Sequence, residues 1–376
     1  MADGGAPGET PGPGSTPGAG ASPAAPGAAP VRRASDALAT GPSAPRERGW
    51  WRLVVALLAF LMVPYVPMLR AIAPIEQTLL LVVTAMAACA LVGWWAGGRL
   101  ALAASWVLLA AVVIASPAPT GAVAYDKLVR GWALLLAASF GLVCVFGQRR
   151  PLLGRALSAV GVAVAVALVA MAAGTTSPER LRDAVRAELD ARTEESVRAL
   201  REVSASPGWR QFVADHPGAA SLATQSEQQL REVPQRSAAI FPALLGIESL
   251  MALALAWSIY HRVSRARLGP PLARVREFRF NDQLVWGLIV GLVVLLLPSL
   301  SGLKPVGMNL VVFFGALYAL RGFGVLAWFL APDRIGLAPL IGFALLMPPL
   351  VGAVALGLGL GDTWVDWRTR GARHTT

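Results

Sequence analysis

The sequence predicts an all-α membrane protein: a polytopic bundle of about eight or nine transmembrane helices with a small soluble helical insertion. Three observations carry that prediction. Apolar runs of roughly 20 residues recur, each long enough to cover about 30 Å of hydrocarbon as a helix. Hydrophobic residues make up 55% of the 376-residue chain, far more than a soluble domain of this length carries alongside only 15% charged residues. The basic residues gather in short segments beside the apolar runs, which is the pattern that orients membrane helices. Alternating strands of about ten residues, the mark of a membrane barrel, are not visible.

Residues 1–48 are Gly, Pro, Ala and Ser with few large apolar side chains. They bury too little to offset ordering entropy and read as a disordered tail. The first span follows "RERGWWR", with Arg46, Arg48 and Arg52 beside it and Trp50 and Trp51 suited to the interface. It runs to about Met68. The second span is about 77–96 and the third about 100–116, and a loop "PAPTGAVAYDKLVR" leads to the fourth, about 131–147. "GQRRPLLGR" supplies Arg149, Arg150 and Arg155, and the fifth span is about 156–174. Residues 49–174 thus form an N-terminal bundle of about five helices.

From 175 to 237 acidic residues and arginines mix to near neutrality, and this is the helical insertion. Ser177-Pro178-Glu179 opens a helix: Ser caps it, Pro fits the first turn and Glu complements the dipole. Leu181, Val185, Leu189, Val197 and Leu200 mark one face. Ser206-Pro207 opens a short helix, and a third, about 219–232, ends before Pro234. The C-terminal bundle, 238–361, holds a sixth span at about 238–260, a seventh at about 283–300 and an eighth at 306–332. A last apolar region, 335–361, is interrupted at Pro348-Pro349, and 362–376 form a tail.

Arginines place the N-terminus and the loops at 148–155 and 261–279 in the cytoplasm and the insertion outside. Nine full crossings would leave Arg368, Arg370 and Arg373 outside. The preferred solution is eight crossings plus one re-entrant or interfacial segment. In a soluble protein a net charge of +11 would suggest nucleic acid. Here orientation accounts for it, so the bilayer is the expected partner, with membrane or envelope proteins beside it and no nucleic acid.

Candidate site residues follow from the cost of charge in lipid, about 2.5–3.5 kcal/mol at the bilayer centre on insertion scales. Such a residue faces a partner or a water-filled cavity. Glu248 lies within "LLGIESLMAL" of the sixth span, and Asn309 and Arg321 lie in the eighth. These three are the candidate binding residues, with no substrate specified. Glu248 and Arg321 form a candidate pair. At about 1.5 Å per residue they sit ~15 Å and ~20 Å from the outer starts of their spans. A purely structural ion pair, or an arginine snorkelling to the inner headgroups, competes with a ligand role. Arg262, Arg265, Arg267, Arg274, Arg276 and Arg279 form a membrane-surface basic loop that orients the chain or meets anionic lipid.

Gly93 and Gly97, and Gly287 and Gly291, have the spacing of close helix packing. Cys89 and Cys144 fall in apolar spans and read as small core residues, and three scattered histidines offer no metal cluster. "GLGD" at 359–362 matches the Gly-x-Gly-Asp of intramembrane aspartyl proteases. However, Tyr125-Asp126 is distant and Pro242-Ala243-Leu244 precedes Asp362, so a Gly-rich helix end is the better reading. No P-loop, H-E-x-x-H, G-x-S-x-G or dinucleotide fingerprint occurs. The expectation is a non-enzyme without cofactor or metal.

"FRFNDQLVWGLIVGLVVLLLP" at 278–298, "NLVVFFGALYALRGFGVLAWFL" at 309–330 and "GLGLGDTWVDWRTR" at 357–370 resemble the YybS-like family of bacterial multi-pass membrane proteins. The chain departs from that pattern at Asn281-Asp282, where a proline is common, and at Arg321, where a glutamine-like residue is. The resemblance implies an inner-membrane protein with no defined catalytic residues. It also implies a distant likeness to the substrate-binding subunits of energy-coupling-factor transporters. The expected function is a transport-type or substrate-binding membrane component, with an envelope scaffold docking partners through 175–237 as the alternative.

Overall fold

A computed structural model describes residues 74–116, 123–146, 151–174, 177–216, 218–330 and 347–368, together with Trp50, Leu53, Val54 and Gly342. Ten α-helices run through these residues: α1 Ile75–Trp95, α2 Leu100–Ala115, α3 Val123–Phe146, α4 Leu152–Ala172, α5 Pro178–Ala205, α6 Pro207–Asp215, α7 Gly218–Val263, α8 Val285–Leu296, α9 Lys304–Leu330 and α10 Pro348–Val365. No strand occurs among them.

Five stretches are long and apolar enough to cross a membrane: Glu76–Trp95, Val123–Phe146, Leu152–Ala172, Pro234–Val263 and Pro298–Leu330. Leu100–Ala115, Asp282–Leu296 and Pro349–Val365 are apolar but shorter. The predicted first span, apart from Trp50, Leu53 and Val54, lies outside the described residues. So do the predicted N-terminal tail and most of 335–346.

The core joins α1, α3, α4 and α7 around Leu81, Met86, Leu136, Phe140, Leu253 and Trp257. Large apolar side chains such as Leu108, Leu142, Phe146 and Val169 are exposed on the outside of the bundle. Helices α1 and α7 run parallel, since Gln77 meets Glu248 at one end and Gly93 meets Tyr260 at the other. Helices α7 and α9 are also parallel: Asn309 meets Ala239 and Ala243, and Phe313 meets Gly246.

Two element boundaries correct the sequence reading. The segment "AYDKLVR" is helix rather than loop, because Tyr125 and Val129 are buried and Asp126 pairs with Arg130 one turn on at 2.6 Å. The predicted break at Pro234 is absent: α7 is continuous over 46 residues with Pro234 and Pro242 inside it. A proline removes one N–H and bends the helix. Leu230 and Ser237, buried on either side of Pro234, hold both halves against their neighbours.

The insertion is therefore a hairpin whose second arm is the extension of a span. Ser177 and Ser206 cap α5 and α6 by accepting from the amides of Arg180 and Trp209, as the sequence predicts. Val185, Leu189 and Val197 of α5 are buried.

Gly93, Gly287 and Gly291 allow close helix approach within the chain, whereas Gly97 touches no neighbouring helix. A Cβ at Gly287 would strike Phe314, and one at Gly291 would meet the Gly307 carbonyl. Gly322 and Gly359 bring the α9 and α10 backbones into contact through the carbonyls of Ala355 and Tyr318. Gly97, at φ +90°, turns the chain out of α1. Both cysteines are free and buried.

A buried carboxylate cluster and a candidate binding site

The three predicted site residues do not meet. Each has its own partners, and the candidate Glu248–Arg321 pair does not form.

Glu248 sits where α7 passes the first turn of α1. Gln77 Nε2 donates to its Oε2 at 2.5 Å, and Thr78 Oγ1 donates to its Oε1 at 2.5 Å. Tyr125, in the first turn of α3, donates its hydroxyl to Gln77 Oε1. All four side chains are buried. Above Tyr125 lies α5, whose Arg192 guanidinium stands 4.8 Å from the centre of the Tyr125 ring. Arg192 Nε pairs with Glu188 at 2.9 Å, and the Glu188 side chain is wholly buried. Helix ends α1 and α3, mid-helix α7 and the hairpin helix α5 thus enclose one polar cluster at the end of the bundle nearest the hairpin.

Arg321 lies on α9 and is 4% exposed. Its Nε donates to Asp362 Oδ2 at 2.9 Å, its Nη2 to the Asp362 carbonyl at 3.1 Å and its Nη1 to Asp282 Oδ1 at 2.5 Å. The guanidinium also lies 5.4 Å from the Phe280 ring centre. Asp362 takes a second arginine, Arg368, at 2.6 Å, and Arg368 reaches on to the carbonyls of Arg276 and Phe278. Asp362 lies in the last turn of α10, the Gly-rich helix end the sequence indicates, with its side chain fully buried. Burying one carboxylate against two guanidiniums, one of them also held by an exposed aspartate, ties α9, α10 and the 275–284 segment together. That arrangement is an ion-pair lock rather than an open cavity.

Asn309 repairs a helix. Its Nδ2 donates to the Ala239 carbonyl at 2.9 Å, and its Oδ1 accepts from the Ala243 amide at 2.9 Å. Those two groups would bond each other in an unbroken helix. Both groups flank Pro242, which contributes no N–H to the helix, and the carboxamide bonds to both of them. Neighbouring side chains satisfy a proline-broken ladder in this way at membrane depth.

The basic loop is only partly a surface feature. Arg265 and Arg274 are exposed, and Arg279 pairs with Asp366 at 2.5 Å. Arg267 and Arg276 are half-buried. Arg262 is buried and donates to the Ser258 carbonyl at 2.8 Å. Arg155, which the sequence assigns to orientation, is fully buried, donates to the Leu268 carbonyl at 2.7 Å and lies 5.2 Å from the Trp257 ring centre.

Sequence reasoning passed over Gln77, Thr78, Tyr125, Glu188 and Arg192. Gln77-Thr78 at the mouth of an apolar span and a buried-face glutamate in α5 were the available signals. Among the described residues, no group of three His, Cys, Asp or Glu side chains is placed to hold a metal.

No curated protein and no solved structure matches the chain. The family model described as "Predicted membrane protein (DUF2232)" matches residues 53–363. Those residues take in the polar cluster, Arg321, Asp282 and Asp362 of the ion-pair lock, and most of the apolar helices described above; Arg368 lies beyond them. The chain accordingly belongs to that family of membrane proteins, whose function is not defined.

Proposed function

We propose that the chain is a non-catalytic membrane component of transport or substrate-binding type, and that it recognises its ligand at the Glu248 cluster. The supporting observation is the enclosure of a buried carboxylate by neutral donors from α1, reached in turn by α3 and capped by α5. Intramembrane carboxylates are expensive, and they mark ligand or ion pathways when they lack a structural cation. Arg321 and Asn309 drop out of the recognition site, because an ion pair and a helix repair account for them. Their placement gives no support to a single midplane cavity shared by all three residues.

In this reading about eight or nine segments cross or enter a bacterial inner membrane. The N-terminus and the 264–284 loop face the cytoplasm, and the hairpin of α5 and the α7 extension, with α6 between them, lies outside. The sequence resemblance to the YybS-like family suggests the transport class by analogy alone.

The test is a thermal-shift screen of the purified protein in lipid nanodiscs, against water-soluble vitamins, amino acids and organic cations. A ligand at 100 times its Kd adds about 2.7 kcal/mol of stability, so a true ligand raises the Tm by several degrees. The same compound must fail to do so with Glu248→Ala. If no compound shifts the wild type, or the shift survives in Glu248→Ala, the reading falls.

One observation favours a second reading, an envelope scaffold that docks partners through 175–237. Helix α6 buries none of its residues, and Trp209, Phe212 and His216 stack along it with ring centres 5.6 and 4.6 Å apart. If replacing both Trp209 and Phe212 with alanine leaves every co-purifying protein in place, that reading is lost.

A further inference from the structure

We propose that Glu248 is a proton-binding site, with Thr78 as the hydroxyl that accommodates both of its charge states. Charge accounting comes first. Helix α1 offers Glu248 the neutral Gln77 and Thr78. Helix α3 offers Tyr125, while its Asp126 and Arg130 pair with each other. Helix α9 offers the neutral Asn309 to a nearby turn of α7. Helix α5 brings Arg192, whose Nε pairs with Glu188 at 2.9 Å while its Nη1 and the Glu188 Oε2 each lack a hydrogen-bond partner, so one cation faces two carboxylates. Arg321 is bound to Asp362 and Asp282, and Arg155 lies toward the opposite end of α7, against Leu268 and Trp257. With Glu248 ionised, the cluster under α5 holds two buried carboxylates, Glu188 and Glu248, against the one Arg192 cation, and one bound proton removes the excess charge.

The hydrogen-bond geometry serves both states. Thr78 Oγ1 lies 2.5 Å from Glu248 Oε1 and 3.5 Å from the Pro74 carbonyl. With Glu248 ionised, the threonine hydroxyl donates to the carboxylate, in the short range of charge-assisted O–H···O⁻ bonds. With Glu248 protonated, the new carboxylic O–H donates to Thr78 Oγ1, and the threonine hydroxyl turns to the Pro74 carbonyl. Gln77 donates to the other oxygen in both states. Pro74 is the residue before the first turn of α1, so the proton exchanges at the hairpin end of the bundle. This inference rests on the same cluster as the proposed function but does not require a ligand.

The experiment is infrared difference spectroscopy of the full chain in nanodiscs without any added compound, between acid and neutral pH. One carboxylic-acid carbonyl band is expected that is lost in Glu248→Gln and kept in Glu188→Gln. Thr78→Val is expected to shift its frequency and titration midpoint, and Thr78→Ser to restore both. The Thr78 pair serves if Glu248→Gln does not fold. A full set of bands in Glu248→Gln, or a titration indifferent to Thr78→Val, overturns the proposal. Because no ligand is added, its failure is separate from failure of the thermal-shift screen.

Discussion

Among single residues, Arg321 and Asn309 show how an apolar span carries polar groups for structural reasons. Arg321 meets two aspartates, and a lysine at that position would lack the planar fork that serves Asp362 and Asp282 together. Removing one partner of a buried pair typically costs about 3–5 kcal/mol. Arg368 still holds Asp362 in Arg321→Ala, so a loss of about 3 kcal/mol, at the low end, is expected in detergent unfolding titrations. The fraction that remains folded should keep the Glu248 cluster intact and give an unchanged carboxylic-acid band. Asn309 accompanies the other anomaly, a proline inside a span, by bonding the backbone groups on either side of Pro242.

At the level of elements, the contacts between helices depend on small residues and on exposed pairs of modest value. Gly322 and Gly359 let α9 and α10 touch backbone to backbone, so Gly359→Val must push the pair apart. Overpacking of this kind costs about 1–3 kcal/mol, and loss of the α9–α10 register should free Asp362. The expected readout is a lower Tm, together with proteolytic cleavage appearing after Arg368.

The hairpin is joined by Glu227 of α7, which accepts from Arg201 of α5 at 2.5 Å and from Arg231 at 3.0 Å. The hydrogen bonds from Arg201 and then Arg231 hold the Glu227 carboxyl below its usual value. A lowered folded-state value means the contribution is present above the ordinary glutamate value of about 4.3. It is lost as pH falls through the lower folded value. The effect is small because the pair is exposed and screened. The Tm gap between wild type and Glu227→Gln should therefore be visible near neutral pH, shrink with salt and close in acid.

Across the whole molecule, the two ends of the bundle carry different chemistry: the carboxylate cluster under the hairpin, and the ion-pair lock with the arginine loop at the other end. The positive-inside rule then predicts the side of each end. Gly208→Cys on intact cells should react with a membrane-impermeant maleimide, and Leu272→Cys only after permeabilisation. Cys89 and Cys144 are buried and add little background. Labelling in the reverse pattern would invert the topology.

The sequence by itself determined the membrane class, the places of α1, α2, α4, α8 and α9 within a few residues, and the caps of α5 and α6. Hydropathy and capping are local properties that a stretch of roughly 20 residues carries within itself. Only the tertiary structure decided which polar groups meet. Glu248 finds Gln77 across 171 residues, and Arg321 finds Asp362 across 41. A helix that is apolar on every side has no hydrophobic stripe to fix its rotation. The face on which a glutamate or arginine points is then set by packing against its neighbours, and in this chain packing turned Glu248 toward α1 and Arg321 toward α10.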